Sequence, residues 1–375
     1  MKLLFICGSL ESGHDGVGDY TRRLAGRVKK TGHKVYLVAI NDQYIDSDFE
    51  GYQSTEEQQI PVLRISSILN ENERIKRLTL LINDFHPDWI SLQFVPFAFH
   101  RKGLAFNLAS QLRKIGKESR WHIMFHELWL GMQVGASKKE MLWGFFQRKL
   151  ILSLVKSLNP SVIHTQSRLY KNQLAEEKIE ANLLPLFSNI PVCEDLKVTA
   201  ADNFLFNGDL TLVMFGSVHN TGGPVIEFAE EVKSFSDKTG KSVKLILLGR
   251  GGHEQEVWGN VWKNLGMEVT TLGEQSSAVI SGTLRNATFG LTTTVLEKVE
   301  KSGSVAAMLE HELSVICVAG EWKPRYTKQI KSVTGITEYQ KGNLESVFLE
   351  KKKPVVSVSL NSVSLSFLAS LESIT

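Results

Sequence analysis

Short apolar runs recur along the whole chain, and most of them end in glycine or polar residues that lead into a helix-like stretch. The first run, Lys2–Cys7, ends at Gly8, a helix-like stretch follows at 19–30, and a second apolar run comes at 34–40. Short apolar strands that alternate with helices are typical of a parallel sheet covered on both faces. The same pattern predicts further strands at 89–94, 121–125 and 161–165, and helices at 103–115 and 138–158.

The alternation breaks once, where two prolines fall within Leu183–Pro191 and a polar stretch follows. Exposed stretches rich in proline and polar residues are typical of interdomain linkers. A new series then begins, with strands predicted at 212–215, 244–248, 289–293 and 314–318. We therefore predict an α/β protein of two Rossmann-like, doubly wound parallel-sheet domains that face a cleft.

The predicted domain bounds follow from this break. The N-terminal domain is 1–190, the linker is 191–207 and the C-terminal domain is 208–350. Two domains also agree with the length of 375 residues, since a domain usually has roughly 150. The tail at 351–375 is ambiguous between strand and helix, and one interpretation returns it to the N-terminal domain.

The composition, 42% hydrophobic and 22% charged, is typical of a folded soluble enzyme. The three cysteines, Cys7, Cys193 and Cys317, are odd in number and widely spaced, which favours a reduced, cytoplasmic location. No apolar run approaches the roughly 18 residues of a membrane-spanning helix, so the chain is not expected to cross a bilayer. The net charge is only +3, and no nucleic-acid partner is expected.

The positive charge is concentrated in the first half, where residues 1–190 carry 25 lysines and arginines against 19 acidic residues. Ordinary solvated helix faces are the favoured interpretation, and an anionic partner such as a lipid surface is the alternative. The stretch 138–158 places Trp143, Phe145 and Phe146 among basic residues, as interfacial helices do. The favoured interpretation is a core-packed helix with a basic outer face. The alternative is peripheral contact of the N-terminal domain with the inner face of a membrane.

Several loops at predicted strand ends carry recognisable motifs, and they follow one another in a fixed order. They are Gly13–Tyr20, Trp121–Glu127, Leu184–Pro191, Met214–Ser217, Leu247–Gly252, Thr271–Glu274 and Glu300–Gly303. This order resembles that of the retaining group 1 glycosyltransferases of the GT-B type over nearly the whole chain. The resemblance implies sugar transfer, of hexosyltransferase type, from a nucleoside-diphosphate sugar to the hydroxyl of a carbohydrate, lipid-linked or small-molecule acceptor in carbohydrate biosynthesis. It also implies retention of configuration and independence of metal.

In the first half, the resemblance places Gly16 and Gly18 at the donor and His126 at the reacting centre. Glycines before a helix can bring backbone N–H groups against an anion, although they often serve only a tight turn. The acceptor is expected near Asp15, Asp19 and Glu127. Asp19 could equally be a plain helix N-cap, and a histidine on an apolar strand is more often a satisfied core residue than a catalyst.

In the second half, the resemblance implies a donor site around the start of an apparent helix. A lysine beside helix-start N–H groups can bind a diphosphate without metal. No Cys/His spacing suited to zinc is present in the sequence, and no metal and no cofactor beyond the donor are expected. Glu300 is the second catalytic candidate. The remaining expected donor-binding residues are Gly216, Ser217, Arg250, Gly273, Lys301, Ser302, Gly303 and Glu310.

Two features depart from the family pattern. Where the family carries an arginine and a lysine that clamp the pyrophosphate, this sequence has Gly216–Ser217 and Thr221–Gly223. Where the family carries two glutamates seven residues apart, this sequence has Val299 and Ala307, with Glu300 and Glu310 nearby. These departures leave an alternative, a catalytically silent GT-B-like protein that binds a carbohydrate or a partner.

A nicotinamide-dependent oxidoreductase is disfavoured, because the glycines after the first strand lack the Gly-x-Gly-x-x-Gly spacing.

Overall fold

The structure, a computed structural model, describes residues 1–55, 57–193, 208–218, 222–325, 327, 329–330, 332–350, 354 and 358–374. Most of the predicted linker, residues 194–207, and Thr221 lie outside this description. The chain divides into two compact units. Unit 1 comprises Met1–Pro185, Pro324–Lys328 and Leu360–Thr375, and unit 2 comprises Leu186–Lys323 and Gln329–Ser359.

Unit 1 contains an eight-stranded sheet in the order β3-β4-β2-β1-β5-β6-β7-β8. Its strands are β1 Lys2–Cys7, β2 Lys34–Asp42, β3 Phe49–Thr55, β4 Gln58–Ser66, β5 Trp89–Phe94, β6 Arg120–Phe125, β7 Val162–Thr165 and β8 Asn182–Leu183. The pairing is parallel except between β3 and β4, which form an antiparallel hairpin. The sequence did not predict this hairpin.

The helices of unit 1 follow most of its strands. They are α1 Gly16–Lys30, α2 Glu71–Phe85, α3 Pro96–Phe99, α4 Leu108–Leu112, α5 Lys138–Leu158 and α6 Arg168–Glu176, and a later helix at Leu360–Glu372 is numbered α12 below. The prediction of one helix over 103–115 was wrong in its length. Gly103 has a left-handed backbone (φ +66°), and the amides of Lys102 and Leu104 bond to Nδ1 of His100, which makes this stretch a loop.

Unit 2 contains a six-stranded, fully parallel sheet in the order β11-β10-β9-β12-β13-β14. Its strands are β9 Leu210–Phe215, β10 Val243–Leu248, β11 Glu268–Gly273, β12 Phe289–Thr292, β13 Val315–Cys317 and β14 Ile336–Glu338. Its helices are α7 Val225–Thr239, α8 His253–Asn264, α9 Ser277–Asn286, α10 Gly303–Glu310 and α11 Leu344–Glu350, with a 3₁₀ helix at Leu296–Lys301 before α10. The helix α12, already placed in unit 1, follows α11 along the chain.

Side chains that alternate in direction along the strands of unit 2 pack into two separate cores. Leu212 and Met214 of β9 belong to a core with the aromatic residues of α7 and α8. Val213, between them, belongs to a second core with Leu284 of α9 and Met308 of α10. Successive side chains of a strand point to opposite faces, so helices cover both faces of the sheet. The predicted fold class, two doubly wound parallel-sheet domains, is confirmed.

No helix among the described residues is both long and apolar enough to cross a membrane. The longest helix of unit 1, α5, covers 21 residues and carries several charges along its length.

Candidate functional site

The first predicted site segment, the loop before α1, is organised by Asp15. The carboxylate of Asp15 accepts hydrogen bonds from the amides of Val17 (2.9 Å) and Gly18 (2.8 Å), which makes it the N-cap of α1. Burial raises the pKa of Asp15, against the lowering effect of these two amides. The helix therefore begins at Gly16, and the N-cap is Asp15 instead of Asp19. Two of the amides that could face an anion are bonded to the cap.

Asp19 and Gly18 also have structural contacts in this loop. Asp19 lies in the first turn of α1, where its carboxylate accepts from the amide of Gly13 at 3.1 Å and pairs with Arg22. A Cβ atom built at Gly18 would lie 2.6 Å from the carbonyl oxygen of Ser9. The absence of a side chain at Gly18 thus lets α1 approach the loop after β1 closely. By contrast, a Cβ at Gly16 would meet no atom within 4 Å.

His126 follows β6 and is buried, and both of its ring nitrogens have partners. Nδ1 lies 2.8 Å from Nε2 of Gln166, and Nε2 lies 2.8 Å from Oε1 of Gln93. An amide nitrogen only donates and an amide oxygen only accepts. His126 is therefore neutral, with its proton on Nε2. Sequence reasoning did not identify Gln166 as a partner of His126.

The hydrogen bonds continue from Gln93 across two more strands. Nε2 of Gln93 donates to Oγ of Ser91 at 2.7 Å, and that hydroxyl lies 2.8 Å from Nδ1 of His122. Nε2 of His122 lies 3.0 Å from Nδ1 of His164. Burial lowers the pKa of His164 to about 4, and burial together with the neighbouring histidines lowers the pKa of His122 well below its usual value. We call this set the polar chain: Gln166, His126, Gln93, Ser91, His122 and His164.

Tyr20 connects the loop before α1 with His126. Its ring lies edge-on to the imidazole with the ring centroids 5.0 Å apart, and burial raises the pKa of its hydroxyl. The structure thus brings the segment around Asp15 and Asp19 next to His126, as the sequence predicts for one site. Glu127 is the next residue along the chain and is partly exposed.

Asp42 ends β2, where a dinucleotide-binding domain carries the acid that binds ribose. Its carboxylate accepts from Oγ of Ser9, the amides of Leu10 and Tyr44, and Nε of Arg64 at 2.7 Å. Burial raises the pKa of Asp42, but these hydrogen bonds outweigh burial and hold it below its usual value. Asp42 therefore holds the loop after β1 in place.

In unit 2, three glycine turns lie side by side where β9, β10 and β11 end. Gly216, Gly249 and Gly273 all have a left-handed backbone, with φ of +83°, +108° and +67°. The amide of Gly216 bonds to the carbonyl of Leu248, and the amide of Gly249 bonds to the carbonyl of Gly273. A Cβ at Gly249 would lie 3.1 Å from the amide nitrogen of Gly216. Only glycine allows turns this close together.

The start of α10 joins this edge of the sheet. Ser302 is the N-cap of α10, with its hydroxyl facing the amide of Val305, and Gly303 is the exposed first residue of the helix. A Cβ built at Gly216 would lie 3.2 Å from Cβ of Ser304. The structure therefore brings together three predicted donor residues, Gly216, Ser302 and Gly303. Lys301 ends the 3₁₀ helix directly before them.

The other predicted donor residues occupy the surroundings of this edge or lie apart from it. Ser217 follows Gly216 and is exposed. Arg250 forms an exposed ion pair with Glu274 (Nε to Oε1, 3.2 Å), which joins the loops after β10 and β11. Glu310 lies at the other end of α10, about 11 Å along the helix from Gly303, and its carboxylate accepts from the amide of Ser188 at 2.8 Å. Glu310 is therefore not grouped with the glycine turns.

One carboxylate at this edge was missed by sequence reasoning. Glu297 lies in the same 3₁₀ helix as Glu300 but is buried, whereas Glu300 is partly exposed. Burial raises the pKa of Glu297, and a hydrogen bond with Gln329 opposes that rise. The position of Glu297, five residues after β12, was a usable signal, since ligands bind beyond the carboxyl ends of parallel strands. Among the described residues, no group of three or more His, Cys, Asp or Glu side chains could hold a metal ion.

Comparison with known proteins gives no match by sequence but clear matches by structure. No protein-family model and no curated protein matches the sequence. The structure is similar to Anabaena HepE in complex with UDP and glucose (TM-score 0.61, 13% identity, 100% of each chain covered). It is also similar to the catalytic domain of Arabidopsis thaliana starch synthase IV bound to ADP and acarbose (TM-score 0.58, 12% identity, 99% of this chain and 98% of that one).

A further similar structure is a UDP-forming trehalose-phosphate synthase from Burkholderia xenovorans in complex with glucose-6-phosphate. Its TM-score is 0.56 at 10% identity, and the match covers 99% of this chain and 96% of that one. Each of these matches spans both parallel-sheet units, and identities this low establish shared architecture. The chain therefore has the GT-B fold, the two-unit architecture of nucleotide-sugar glycosyltransferases.

Proposed function

We propose that this protein is a glycosyltransferase that moves a sugar from a nucleoside-diphosphate sugar to an acceptor hydroxyl. The observation that carries the proposal is the meeting of the glycine turns with the start of α10 at the carboxyl edge of a fully parallel sheet. Ligands of doubly wound sheets bind at this edge, and helix starts favour anions. HepE and starch synthase IV, which share the fold, were solved with UDP and ADP.

In this proposal, the diphosphate of the donor binds near Gly216, Ser302 and Gly303. A departing nucleoside diphosphate gains negative charge, and fixed donors around it lower the barrier. Lys301 supplies positive charge beside the helix start, and Arg250 supplies it from the neighbouring loop in place of the family's clamp. Transfer without metal and with retention of configuration belongs to the same proposal, as does a role for Glu300 at the reacting sugar.

Unit 1 supplies the acceptor side in this proposal. Asp15, Asp19 and Glu127 bind the acceptor, a carbohydrate, lipid-linked or small-molecule hydroxyl; in support, the ring of Tyr20 brings the start of α1 to His126. His126 acts there as a neutral group. Because Gln166 and Gln93 engage both ring nitrogens, its contribution is to fix the end of β6, and proton transfer by its ring is not part of the proposal. We further propose a cytoplasmic location.

A second candidate function is a silent GT-B-like binding protein. Two observations favour it: Glu310 is bonded to the amide of Ser188, and the carboxylate of Asp15 occupies two amides at the start of α1. Such a protein would bind a nucleotide or a carbohydrate without turnover.

The test is release of nucleoside diphosphate from a panel of nucleotide sugars, with and without a mixture of acceptor sugars. Calorimetric titration with the free nucleoside diphosphates is run in parallel. Acceptor-dependent release that Lys301→Ala reduces supports the transferase. Binding without release identifies the silent protein, and neither binding nor release across the panel rejects both functions.

A further inference from the structure

The first half of α5 is apolar on the side that faces away from unit 1. Met141, Leu142, Phe145 and Phe146 expose 39%, 54%, 52% and 41% of their surface. The opposite side of the same helix is buried through Gly144, Gln147, Ile151, Leu154 and Leu158. At 100° per residue, the four exposed side chains share one face of the helix. A helix with a second apolar face is normally covered by another layer.

The loop before α5 extends this exposed face. Leu130 and Val134 expose 38% and 62% of their surface. A Cβ at Gly131 would lie 3.1 Å from Cα of Met141, and Nε2 of Gln133 lies 3.4 Å from Oε1 of Glu140. The loop therefore packs along the helix. We call the set Leu130, Val134, Met141, Leu142, Phe145 and Phe146 the α5 patch.

Lysines flank the α5 patch at both ends. Lys138, Lys139 and Lys149 are exposed, and Nζ of Lys149 lies 5.6 Å from the ring centroid of Phe145. The acid in this stretch, Glu140, is engaged at the helix start, where it forms a capping box with Ser137. The face of α5 thus combines aromatic and aliphatic side chains in the middle with positive charge at the rim.

The helix that carries the patch is held firmly on unit 1. Nε1 of Trp143 donates to the carbonyl of Lys102 at 2.9 Å, and the amide of Leu130 donates to Oε1 of Gln147 at 2.9 Å. The favoured expectation from the sequence, a core-packed helix, holds for one face only. Phe145 and Phe146 lie on the exposed face.

We propose that the α5 patch docks on the surface of an anionic lipid bilayer. Exposed apolar patches of this kind mark interaction surfaces. Interfacial helices bury Phe and Leu at the headgroup boundary while lysines reach the headgroups. The lysine rim complements the negative charge of anionic lipids. This proposal rests on the contacts of unit 1 and is independent of the transfer reaction.

The test is flotation of the full chain with vesicles of phosphatidylcholine alone and of phosphatidylcholine with 30% phosphatidylglycerol. The wild type is expected to float with the anionic vesicles, and 0.5 M NaCl is expected to reduce binding. Phe145→Ser/Phe146→Ser removes the apolar centre, and Lys138→Glu/Lys139→Glu inverts part of the rim. Each pair is expected to lower the partition coefficient about tenfold or more. Leu80→Ser, which changes a residue 57% exposed on α2, is the matched control and is expected to bind as the wild type does.

Two outcomes overturn the proposal. One is a wild type that does not float with anionic vesicles, or patch variants that float as well as the wild type. The other is a wild type that sediments as a dimer which Phe145→Ser/Phe146→Ser dissociates, because the patch then binds a second copy of the chain. Circular dichroism of each variant checks that the fold is kept, and the lysine variants test the proposal even if the aromatic pair fails to fold.

Discussion

The carboxyl edges of the two sheets are built in opposite ways. In unit 1, the edge around His126 is closed, because its polar side chains are buried and bonded to one another. In unit 2, the edge around Gly216 is made of backbone turns and of exposed or partly exposed side chains such as Arg250 and Lys301. Buried, satisfied polar groups stabilise one conformation, whereas exposed groups at the end of a sheet can be reached from solvent. The same sheet architecture thus ends in buried, mutually bonded side chains in one unit and in exposed turns in the other.

The largest expected effect concerns the carboxyl edge of the sheet in unit 2. Lys301→Ala is expected to lower kcat/KM with the preferred donor about 100-fold or more, because charge on the departing diphosphate loses a fixed partner. Steady-state release of nucleoside diphosphate measures it. Lys298→Ala, on the same 3₁₀ helix but with its ammonium over the ring of Trp322, is the control and is expected to keep most activity. Equal activity of Lys301→Ala and the wild type would contradict the assignment.

The next effect tests the closed edge. Gln93→Leu leaves the Nε2–H of His126 and the Oγ of Ser91 without their present partner, and unit 1 is expected to lose about 2–3 kcal/mol of unfolding free energy. Urea unfolding followed by circular dichroism measures the change. Gln173 is also buried but lies outside the polar chain, so Gln173→Leu is expected to have little effect. Similar losses in both variants would show that burial alone, and not the polar chain, matters.

The third expected effect is a loss of folding stability at acidic pH. The pKa of His164 is about 4 in the fold and about 6.5 when unfolded, so the unfolded chain binds more protons below pH 6.5. Stability is therefore lost as the pH falls from about 6.5 to about 4, and the loss through His164 reaches about 2 kcal/mol at pH 5. Urea unfolding at pH 7 and pH 5 measures it. His164→Asn, whose Oδ1 can replace Nδ1, is expected to lose less stability over this range, and an equal loss would contradict the assignment.

The smallest expected effect on stability concerns Gly303, at the start of α10, in comparison with Gly216. A Cβ at Gly303 meets no atom within 4 Å, and Gly303 is not among the glycines with positive φ. Gly303→Ala is therefore expected to leave stability within about 0.5 kcal/mol of the wild type or raise it, while weakening nucleoside diphosphate binding by placing a methyl group at the helix start. Gly216→Ala, at φ +83°, is expected to destabilise unit 2 instead. Thermal unfolding and calorimetric titration distinguish the two.

Local signals predicted much of the fold. The bounds of α5 at 138–158 are confirmed, since Ser137 and Glu140 form a capping box and Asn159 ends the helix in a left-handed conformation. The strands predicted at 121–125 and 161–165 are confirmed as β6 and β7. Both could be recognised in the sequence because they are short and apolar. The hairpin of β3 and β4 was missed because β3, Phe49–Thr55, is largely polar and exposed at the sheet edge. The domain bounds stay a prediction.

The candidate site was less predictable because its contacts are distant in sequence. Gln93 and Gln166 reach His126 from 33 and 40 residues away, and no local pattern indicates such pairs. Gly216, Ser302 and Gly303 were named from the family resemblance, and the structure brings them together, but their donor role stays a prediction. Glu310 was named because it lies three residues after Ala307, the position of a family glutamate, and that spacing does not reveal that its carboxylate accepts from the amide of Ser188.

The connected hydrogen bonds of the polar chain make its buried histidines spectroscopic reporters of ligand binding next to His126. Gln166 donates to His126, His126 donates to Gln93 and Gln93 donates to Ser91, whose hydroxyl contacts the ring of His122 and, through it, that of His164. A ligand that took the place of Gln93 at the Nε2–H of His126 would let the Gln93 amide rotate away from Ser91, and the hydroxyl of Ser91 would then change its hydrogen bond with His122. The nitrogen resonances of His122, farther back on β6, and of His164, on the neighbouring β7, would then register binding at a site neither residue touches.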